Sequence, residues 1–351
     1  MRTPFLSIFF VTVILISSVF ASANLRINNS GVVSGTLVGK FFDYVVVIML
    51  ENHGINYTYG RSCVGNCTFF NYLANTNGLA ETYNDGGLGG SLGDYIGLTS
   101  GDATVVCNNP PNGTCGPYDD ANIVDSIEAA SLSWKAFMED YPGSSSGGSY
   151  SSGGCFMGGM SSQGKYSSNH NPFVYYQDIV NNTRRCSRIL PANSIIPTQT
   201  ACGTVSNPGT VESDDLFLKE LSNATSAANY IFLTPNSIDD LHDCGDVSLG
   251  NYYLQRLIPQ ILNSALFTQK RAALFVTFDE TAPFIGTAPN NAPYMYTIWA
   301  SHGASITQSN FKSTNYYNHF STLRTVEDNW GFSYLTPNES AQSNMSEFFH
   351  Q

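Results

Sequence analysis

The fold of this chain is decided by the stretch Phe41-Phe42-Asp43-Tyr44-Val45-Val46-Val47-Ile48-Met49-Leu50-Glu51-Asn52-His53-Gly54. Its apolar run is continuous and rich in β-branched residues, a pattern typical of a strand buried on both faces of a parallel sheet. A carboxylate and an amide, Glu51 and Asn52, follow the run directly. Because open α/β sheets place their ligand crevice at the carboxyl ends of parallel strands, the stretch predicts a central strand that ends at a binding site.

Two further apolar runs, in residues 229–235 and 272–278, are also followed by acids. The residues that come after them include Asp239, His242, Asp279 and Glu280. A single acid at a strand end is often a helix cap or a solvated turn residue. Several carboxylates at one sheet edge, however, repel one another unless cations neutralise them. Oxygen and imidazole ligands suit a divalent ion such as magnesium, calcium, manganese, iron or zinc, so the pattern predicts a metal centre whose ion and ion number stay open.

The order of elements predicts the domain organisation of the 351 residues. Strand-like and helix-like segments follow one another without a repeat or linker, which favours the α/β class: one three-layer α/β/α sandwich around a mostly parallel sheet, spanning residues 24–351. The Gly/Ser-rich residues 141–169 are expected to add little to the core, either as a disordered insert or as a lid over the site. An amphipathic helix is expected to start near His319 and stop at Gly331, and the remainder to form a tail.

A glycine-rich segment, residues 84–102, contains Ser91. Glycine permits positive φ and close approach of the backbone to a ligand, and the apolar spacing after Ser91 predicts a short helix that starts there. A plain glycine-rich surface loop is the alternative. If Ser91 reaches the metal centre, an ion lowers the pKa of its hydroxyl and makes it a nucleophile. The reaction suited to such a group is in-line displacement at phosphorus or sulfur.

The amino-terminal residues 1–23 have the pattern of an export signal. Arg2 precedes a long apolar run, and Ala21-Ser22-Ala23 provides a small-residue cleavage site. An uncleaved membrane anchor is the alternative. We therefore expect a secreted, extracellular or cell-surface protein without stable membrane association after cleavage.

Cysteines and glycosylation sequons agree with export. The chain has 8 cysteines, an even set that favours disulfides, with Cys63–Cys67 and Cys107–Cys115 as plausible local pairs. A zinc site at the first pair is disfavoured because no matching ligand pair follows. Sequons for N-linked sugar begin at Asn28, Asn56, Asn66, Asn112, Asn181, Asn223, Asn338 and Asn344.

The charge balance excludes some partners. Charged residues make up 12% of the chain, and the net charge is −12 with only 15 Lys and Arg, which form no basic stripe. Nucleic acid and anionic membranes are therefore not expected as partners. A sparse charge set also limits positive self-repulsion when carboxylates are protonated, which suggests that the protein works in an acidic medium.

Several blocks, in the same order from about Asp43 to Gly331, resemble the phosphoesterase family of acid phosphatases and bacterial phospholipases C, within the alkaline-phosphatase superfamily. Each block alone is weak, but their order is specific. The blocks are Val46 to Gly54, Ser91-Leu92-x-x-Tyr95 with Leu98-Thr99-Ser100-Gly101, His170-Asn171-Pro172-Phe173, Leu241-His242-Asp243, Val276-Thr277-Phe278-Asp279-Glu280, and Asn318-His319-Phe320-Ser321-x2-Arg324-Thr325-x-Glu327-Asp328.

The resemblance implies a superfamily sandwich in which Ser91 is transiently phosphorylated. It implies as metal ligands Glu51, Asn52, Asp279 and Glu280. His242 and His319 match positions that bind either phosphate or a second metal; we predict a catalytic role for His242 and a metal role for His319, with Asp239 as a candidate co-ligand. His170 would contact phosphate or protonate the leaving group, although a lone histidine before a proline is more often a turn residue.

The chain departs from the resemblance at one place. Family members usually carry Pro-Asn where this sequence has Gly93-Asp94. An asparagine donates hydrogen bonds to phosphate, whereas an ionised aspartate repels it. Asp94, predicted to lie in the substrate-binding site, is therefore a carboxyl protonated at acid pH, a metal ligand, or a mark of lost activity.

The leading hypothesis is a secreted, metal-dependent acid phosphatase that hydrolyses small phosphate esters through phospho-Ser91. A phospholipase C is the alternative within enzymes, because a lipid substrate needs an apolar landing surface that composition does not reveal. A catalytically inactive extracellular glycoprotein that keeps the fold for binding is the alternative outside enzymes. The sequence does not predict the oligomeric state.

Overall fold

The computed structural model describes residues 37–63, 65–105, 115–142, 150–159, 165–196, 202, 213–281 and 293–350. These residues belong to one unit that begins at Leu37. The predicted export signal, the sequons at Asn28 and Asn112, and Cys107 lie outside the described residues. Within the described ranges, no helix has the length and apolar character needed to cross a membrane.

The fold is organised around an eight-stranded sheet in the order β4-β3-β5-β1-β6-β7-β2-β8. Strand β7 runs antiparallel to both of its neighbours, and every other neighbouring pair is parallel. The strands are β1 Tyr44–Leu50, β2 Gly78–Asn84, β3 Trp134–Met138, β4 Ile189–Pro191, β5 Tyr230–Thr234, β6 Ala272–Phe278, β7 Met295–Ala300 and β8 Phe311–Asn318.

Helices cover the sheet in two layers, which confirms the predicted α/β fold class. Helix α3 packs against α10, and α2, α7 and α9 pack against α8. The helices are α1 Ile55–Thr58, α2 Thr68–Thr76, α3 Gly90–Ser100, α4 Ile123–Ala129, α5 Gln177–Val180, α6 Thr183–Cys186, α7 Asp215–Leu221, α8 Val247–Leu262, α9 Ala265–Gln269, α10 His319–Trp330 and α11 Pro337–Ser340. Short 3-10 turns occupy Gly60–Ser62, Ser168–His170, Pro172–Tyr175, His302–Ala304 and Ser346–Phe348.

Strand β1 lies in the middle of the sheet between β5 and β6, as its sequence predicts. Every residue of β1 after Tyr44 is buried, and so is every residue of β5 and β6. Burying one Val, Leu or Ile side chain contributes about 1.5–3 kcal/mol, so this continuous run anchors the core. The register pairs Leu50 with Phe278, which brings the carboxyl ends of β1 and β6 to the same level.

Helix α10 has the predicted ends. His319 is its first residue, after Asn318 caps the helix by accepting a hydrogen bond from the Ser321 backbone N–H at 3.0 Å. Gly331 follows the last turn with φ 70°, the left-handed conformation that glycine adopts at helix ends. The helix therefore fixes the position of His319 directly after the carboxyl end of β8.

Residues 141–169 contribute to the core, so the expectation that they would not is wrong. In the described part of this segment, the rings of Tyr141, Phe156 and Tyr166 are buried and pack together with centroids 5.2 to 6.1 Å apart. The Cys155–Cys186 disulfide joins the segment to α6. Aromatic rings bury large areas, so a few of them anchor a chain that is otherwise rich in glycine and serine.

The expected carboxyl-terminal tail is also wrong. Met345, Phe348 and Phe349 are buried. The Phe349 ring lies 5.0 Å from the Trp299 ring and 5.1 Å from the Phe41 ring, measured between centroids. The end of the described chain therefore packs on the core next to the residues that precede β1.

The disulfide prediction is confirmed for Cys63–Cys67. Cys202–Cys244 is a further disulfide, and no cysteine among the described residues is free. The described sequons divide by exposure. Asn66, Asn181 and Asn223 are exposed, and Asn56, Asn338 and Asn344 are partly buried.

Replacing Phe349 with alanine tests the closing contact. We expect Phe349→Ala to lower the free energy of unfolding by about 3–5 kcal/mol, because it empties a fully enclosed aromatic position. Urea titration at equilibrium measures the change. Tyr72→Ala is the matched control, because Tyr72 is 59% exposed and its loss should cost about 1 kcal/mol or less. Equal losses in the two variants would contradict the buried placement.

The acid Glu327 on α10 makes stability depend on pH. Its side chain is buried, Oε1 accepts a hydrogen bond from the Leu335 backbone N–H at 3.1 Å, and Oε2 has no partner. Burial and then the nearby Glu339 raise the pKa of Glu327 to about 8, from 4.5. Between these values the native state holds a proton that the unfolded chain releases. The contribution of Glu327 to the free energy of unfolding is therefore fully present below pH 4.5 and is lost as the pH rises through about 8.

We expect Glu327→Gln to reduce the fall in melting temperature between about pH 5 and pH 8, because the amide does not titrate. Melting curves at closely spaced pH values measure the slope. Glu81→Gln is the control, since Glu81 is only partly buried, on β2, and should keep the wild-type slope. Parallel slopes for wild type and Glu327→Gln would show that Glu327 is not the group responsible.

Candidate metal centre

The ends of β1 and β6 bring two acids together. Since Leu50 pairs with Phe278, the next residues, Glu51 and Asp279, leave the sheet side by side, and both are fully buried. The Asp279 backbone N–H donates to the Leu50 carbonyl at 2.9 Å, which continues the ladder by one residue. The strand register therefore determines the separation of these two carboxylates.

Asn52 holds both carboxylates in place. Its backbone is left-handed, with φ 58°, a conformation that asparagine tolerates better than most residues. This turn directs the Asn52 backbone N–H to Asp279 Oδ1 at 2.7 Å, while the side-chain Nδ2 donates to Glu51 Oε2 at 3.0 Å. The Glu280 backbone N–H also donates to Asp279 Oδ1, at 2.6 Å.

Helix α3 brings Ser91 to the same edge. Gly90, with φ 72°, turns the chain into the helix, a conformation that side chains disfavour. Ser91 lies in the first turn, and its Oγ donates to Glu51 Oε2 at 3.0 Å. The glycine-rich segment is therefore not a plain surface loop, and residues 40 positions apart in sequence come into direct contact.

The next turn of α3 adds two more buried side chains. Asp94 and Tyr95 follow Ser91 by three and four positions, so the three share one helix face. Asp94 is fully buried, and neither of its carboxyl oxygens has a hydrogen-bond partner. The Tyr95 ring stacks on His170 with an interplanar angle of 3° and centroids 5.7 Å apart.

His170 lies between two acids. Burial, with a smaller effect of His242, lowers the pKa of His170 to about 3, so the ring is neutral and carries one N–H. With that N–H on Nδ1, the ring donates to Asp240 Oδ2 at 3.0 Å. The lone pair on Nε2 then faces Glu51 Oε1 at 3.3 Å, and this oxygen receives no hydrogen bond. Two facing acceptors repel each other, whereas a cation between them satisfies both.

His242 stands beside His170, with ring centroids 5.3 Å apart. Its Nδ1 and Asp243 Oδ1 are 3.0 Å apart, and its backbone N–H donates to Asp240 Oδ1 at 2.7 Å. Burial alone lowers the pKa of His242, but the hydrogen bond with Asp243 and the charge of Asp240 outweigh it, so the pKa is raised.

These side chains form two sets of ligand atoms. One atom each from Glu51, His170 and His242 lies within 4.8 Å of the others. The same holds for Asp94, Asp279 and Glu280. Separations of this size allow three ligands to contact one ion, so the residues present fit divalent metal ions.

Buried oxygens without partners support this fit. Glu51 Oε1, Asp279 Oδ2 and both oxygens of Asp94 are enclosed and accept no hydrogen bond. Buried polar atoms are nearly always satisfied, so a group of orphans facing one another indicates a missing partner. Coordination to a cation satisfies carboxylate oxygens and imidazole nitrogens at the same time.

The pKa shifts have the same cause. Burial, followed by the charges of Asp279 and Asp240, raises the pKa of Glu51 well above its ordinary value. Burial and then Asp279 and Glu280 raise the pKa of Asp94 to about 11, and burial and then Asp279 raise the pKa of Glu280 to about 7. A bound cation opposes all three shifts, because it favours the ionised carboxylates.

The structure gives Asp239 a different place from the predicted one. Burial and then the Asp214 carboxylate raise the pKa of Asp239 to about 8, and it is among the charges around Glu139, which directly follows β3. Its neighbour Asp240 is the acid that bonds to His170 and whose carbonyl accepts from the Glu51 N–H at 2.8 Å. This placement does not support a metal-ligand role for Asp239.

The geometry of His319 does not support its predicted metal role either. Its Nε2–H donates to the Asp279 carbonyl at 2.7 Å, and its Nδ1 accepts from the Tyr83 hydroxyl at 3.0 Å. Both ring nitrogens are therefore hydrogen-bonded to protein groups, and neither nitrogen is available to bind an ion. His319 instead holds the backbone of Asp279 in place.

Asp240 and Tyr95 are the site residues that the sequence reasoning missed. Asp240 adjoins Asp239, and a strand end gives no signal for which of two successive acids turns inward. Tyr95 follows Ser91 by four positions, so the helical period after Ser91 could have identified it.

Comparisons with known proteins show the family of the chain. A family model described as the phosphoesterase family matches residues 65–333. The chain is 24% identical over 313 residues to a probable acid phosphatase of Kluyveromyces lactis, covering 86% of this chain and 61% of that protein. It is 22% identical over 244 residues to an acid phosphatase of Aspergillus fumigatus, covering 69% of this chain and 46% of the relative. The matched part is thus under two thirds of the length of both relatives.

A solved structure shares the fold. It is a protein in the alkaline phosphatase superfamily from Vibrio parahaemolyticus, with a TM-score of 0.52 and 11% identity, covering 87% of this chain and 70% of that chain. At this identity the likeness concerns the fold alone.

Removing divalent metal should destabilise the protein. We expect a chelator to lower the melting temperature, because occupancy at 100 times the dissociation constant contributes about 2.7 kcal/mol. Glu51→Gln should lose most of the stabilisation by Zn²⁺, since it removes one charged ligand of the set with the two histidines. Glu81→Gln, which makes the same chemical change away from the site, should respond as wild type does. A melting temperature that is indifferent to chelator and to added metal would contradict a metal centre.

Proposed function

Because the chain belongs to the phosphoesterase family, we propose that it is a metal-dependent phosphatase that hydrolyses small phosphate monoesters through a phosphoserine at Ser91. The observation that carries this proposal is the contact between Ser91 Oγ and Glu51 Oε2 at 3.0 Å, within the group of carboxylates and imidazoles at the sheet edge. The acid phosphatase relatives support the monoester class.

Ser91 supplies the nucleophile. Its hydroxyl donates to Glu51, which orients the oxygen and provides an acceptor for its proton. Oγ then forms a bond to phosphorus as the bond from phosphorus to the ester oxygen breaks, and the alcohol leaves with the proton that Ser91 has given up. Water hydrolyses the phosphoserine, which releases inorganic phosphate and restores Ser91.

The surrounding residues bind cations and hold Ser91 in position. Glu51, His170 and His242 would hold one ion, with Asp240 fixing the His170 tautomer. A bound divalent ion supplies charge stabilisation of the attacking and leaving oxygens and makes the serine hydroxyl more acidic. Asn52 maintains the spacing of Glu51 and Asp279 through its two hydrogen bonds.

We further propose that the protein acts outside the cell, as a glycoprotein. Disulfides at Cys63–Cys67, Cys155–Cys186 and Cys202–Cys244 support an oxidising compartment. The exposed sequon residues Asn66, Asn181 and Asn223 are accessible for glycosylation.

Substituting Ser91 tests the nucleophile. We expect Ser91→Ala to reduce hydrolysis of a simple aryl phosphate by about 10³-fold or more, because no other group takes the place of the hydroxyl. Melting temperature and metal content should stay close to wild type. Brief incubation with labelled substrate, acid quenching and peptide mapping should locate a phosphate on Ser91 in the wild-type protein.

Ser100→Ala is the matched control, since Ser100 lies at the other end of α3 and its hydroxyl donates to the Ile96 carbonyl at 2.9 Å. Ser100→Ala should keep full turnover. Unchanged turnover in Ser91→Ala, or label on another residue, would overturn the proposed role of Ser91.

A further inference from the structure

We propose that Asp94 is a cation ligand that completes, with Asp279 and Glu280, a second subsite for a hard divalent cation such as Mg²⁺, Ca²⁺ or Mn²⁺. The inference rests on the proposed function, in which the same sheet edge binds metal. It assigns Asp94 to metal rather than to the substrate phosphate, and it predicts two subsites of different chemistry.

Buried carboxyl oxygens of Asp94 and Asp279 have no hydrogen-bond partner, which indicates a bound cation. Asp94 is fully buried and both of its carboxyl oxygens lack a hydrogen-bond donor. Asp279 Oδ1 accepts two backbone N–H groups, so its Oδ2 is left without a partner. One oxygen from each of Asp94, Asp279 and Glu280 lies within 4.8 Å of the others. A buried carboxylate that faces only other acceptors needs a cation.

The negative charges around Asp94, Asp279 and Glu280 also indicate a bound cation. Every ion pair recorded among the described residues leaves out Asp94, Asp279 and Glu280. Asp85, which also lies near Asp94, is negative as well. Within the part of the chain that the structure describes, no lysine or arginine is thus paired with this set. His242 offsets part of the repulsion at Glu280, and a divalent ion would offset the rest.

The Asp94 set and the Glu51 set differ in the chemistry of their ligand atoms. The Asp94 set offers only carboxylate oxygens, which suit hard ions that keep part of their water shell. The Glu51 set offers two imidazoles and one carboxylate, which suit borderline ions such as Zn²⁺. Ser91 contacts Glu51 and precedes Asp94 by one helical turn, so the nucleophile is connected to both sets. The two subsites should therefore prefer different metals.

Metal binding by the full chain tests the proposal. The protein is stripped with chelator and dialysed against Mg²⁺ or Zn²⁺, and bound metal is measured by mass spectrometry and by calorimetric titration. We expect Asp94→Asn to bind Mg²⁺ at least about 10-fold more weakly than wild type, because it removes one charged ligand. Zn²⁺ binding through the Glu51 set should persist. Glu51→Gln should show the reverse pattern, with weakened Zn²⁺ binding and retained Mg²⁺ binding.

Asp85→Asn is the matched control, because it removes the same charge from a partly buried neighbour that is not in the ligand set. It should bind Mg²⁺ as wild type does. In chelator, Asp94→Asn should melt at or above the wild-type temperature, since the amide replaces a buried carboxyl that has no hydrogen-bond donor, and added Mg²⁺ should raise the melting temperature of wild type more. If Asp94→Asn fails to fold, Glu280→Gln tests the same subsite from its partly exposed side and should lose the same ion.

Equal Mg²⁺ affinity in wild type and in the variants of Asp94 and Glu280 would overturn the proposal. Loss of Mg²⁺ binding in Asp85→Asn to the same extent as in Asp94→Asn would also overturn it, because the effect would then be one of general charge. Neither readout requires turnover. A chain that binds Mg²⁺ through Asp94 but releases no phosphate would contradict the proposed function alone, and a phosphatase with unchanged Mg²⁺ binding in Asp94→Asn would contradict this inference alone.

Discussion

The parallel pairing of β1 with β6 is the constraint on which the site depends. Because Leu50 and Phe278 are partners, Glu51 and Asp279 leave the sheet together and are both fully buried. Like charges in such a place are costly unless a cation or a proton joins them. The core that stabilises the two strands thus also holds the two acids side by side.

The rest of the site is arranged around this pair. The left-handed turn at Asn52 donates to both carboxylates, and His319 holds the Asp279 carbonyl from the layer of α10. Helix α3 adds Ser91, and Asp240 fixes the orientation of His170. Each of these contacts links a buried structural element to an acid, so the site is preorganised by packing rather than by flexible loops.

Much of this could be predicted from the sequence. Continuous apolar runs identified β1, β5 and β6, and the residues after β1 and β6 lie in the candidate site. The choice between Asp239 and Asp240 could not be made, because it depends on how the loop after β5 folds back on Glu51. The contacts of His319 could not be anticipated either, because they come from Tyr83, on a strand distant in sequence. The burial of Phe349 depends on Phe41 and Trp299, which no local pattern near the carboxyl end reveals.

We propose that the ligand set of Glu51 and the ligand set of Asp279 bind metal ions beside Ser91 at the edge of one sheet. The most direct measurement is anomalous X-ray scattering from crystals of the purified protein, recorded on both sides of a metal absorption edge. We expect an anomalous peak within bonding distance of Glu51 or of Asp279, with Ser91 Oγ beside it. A well-ordered site with Ser91 turned away and no ion at these carboxylates would contradict the account.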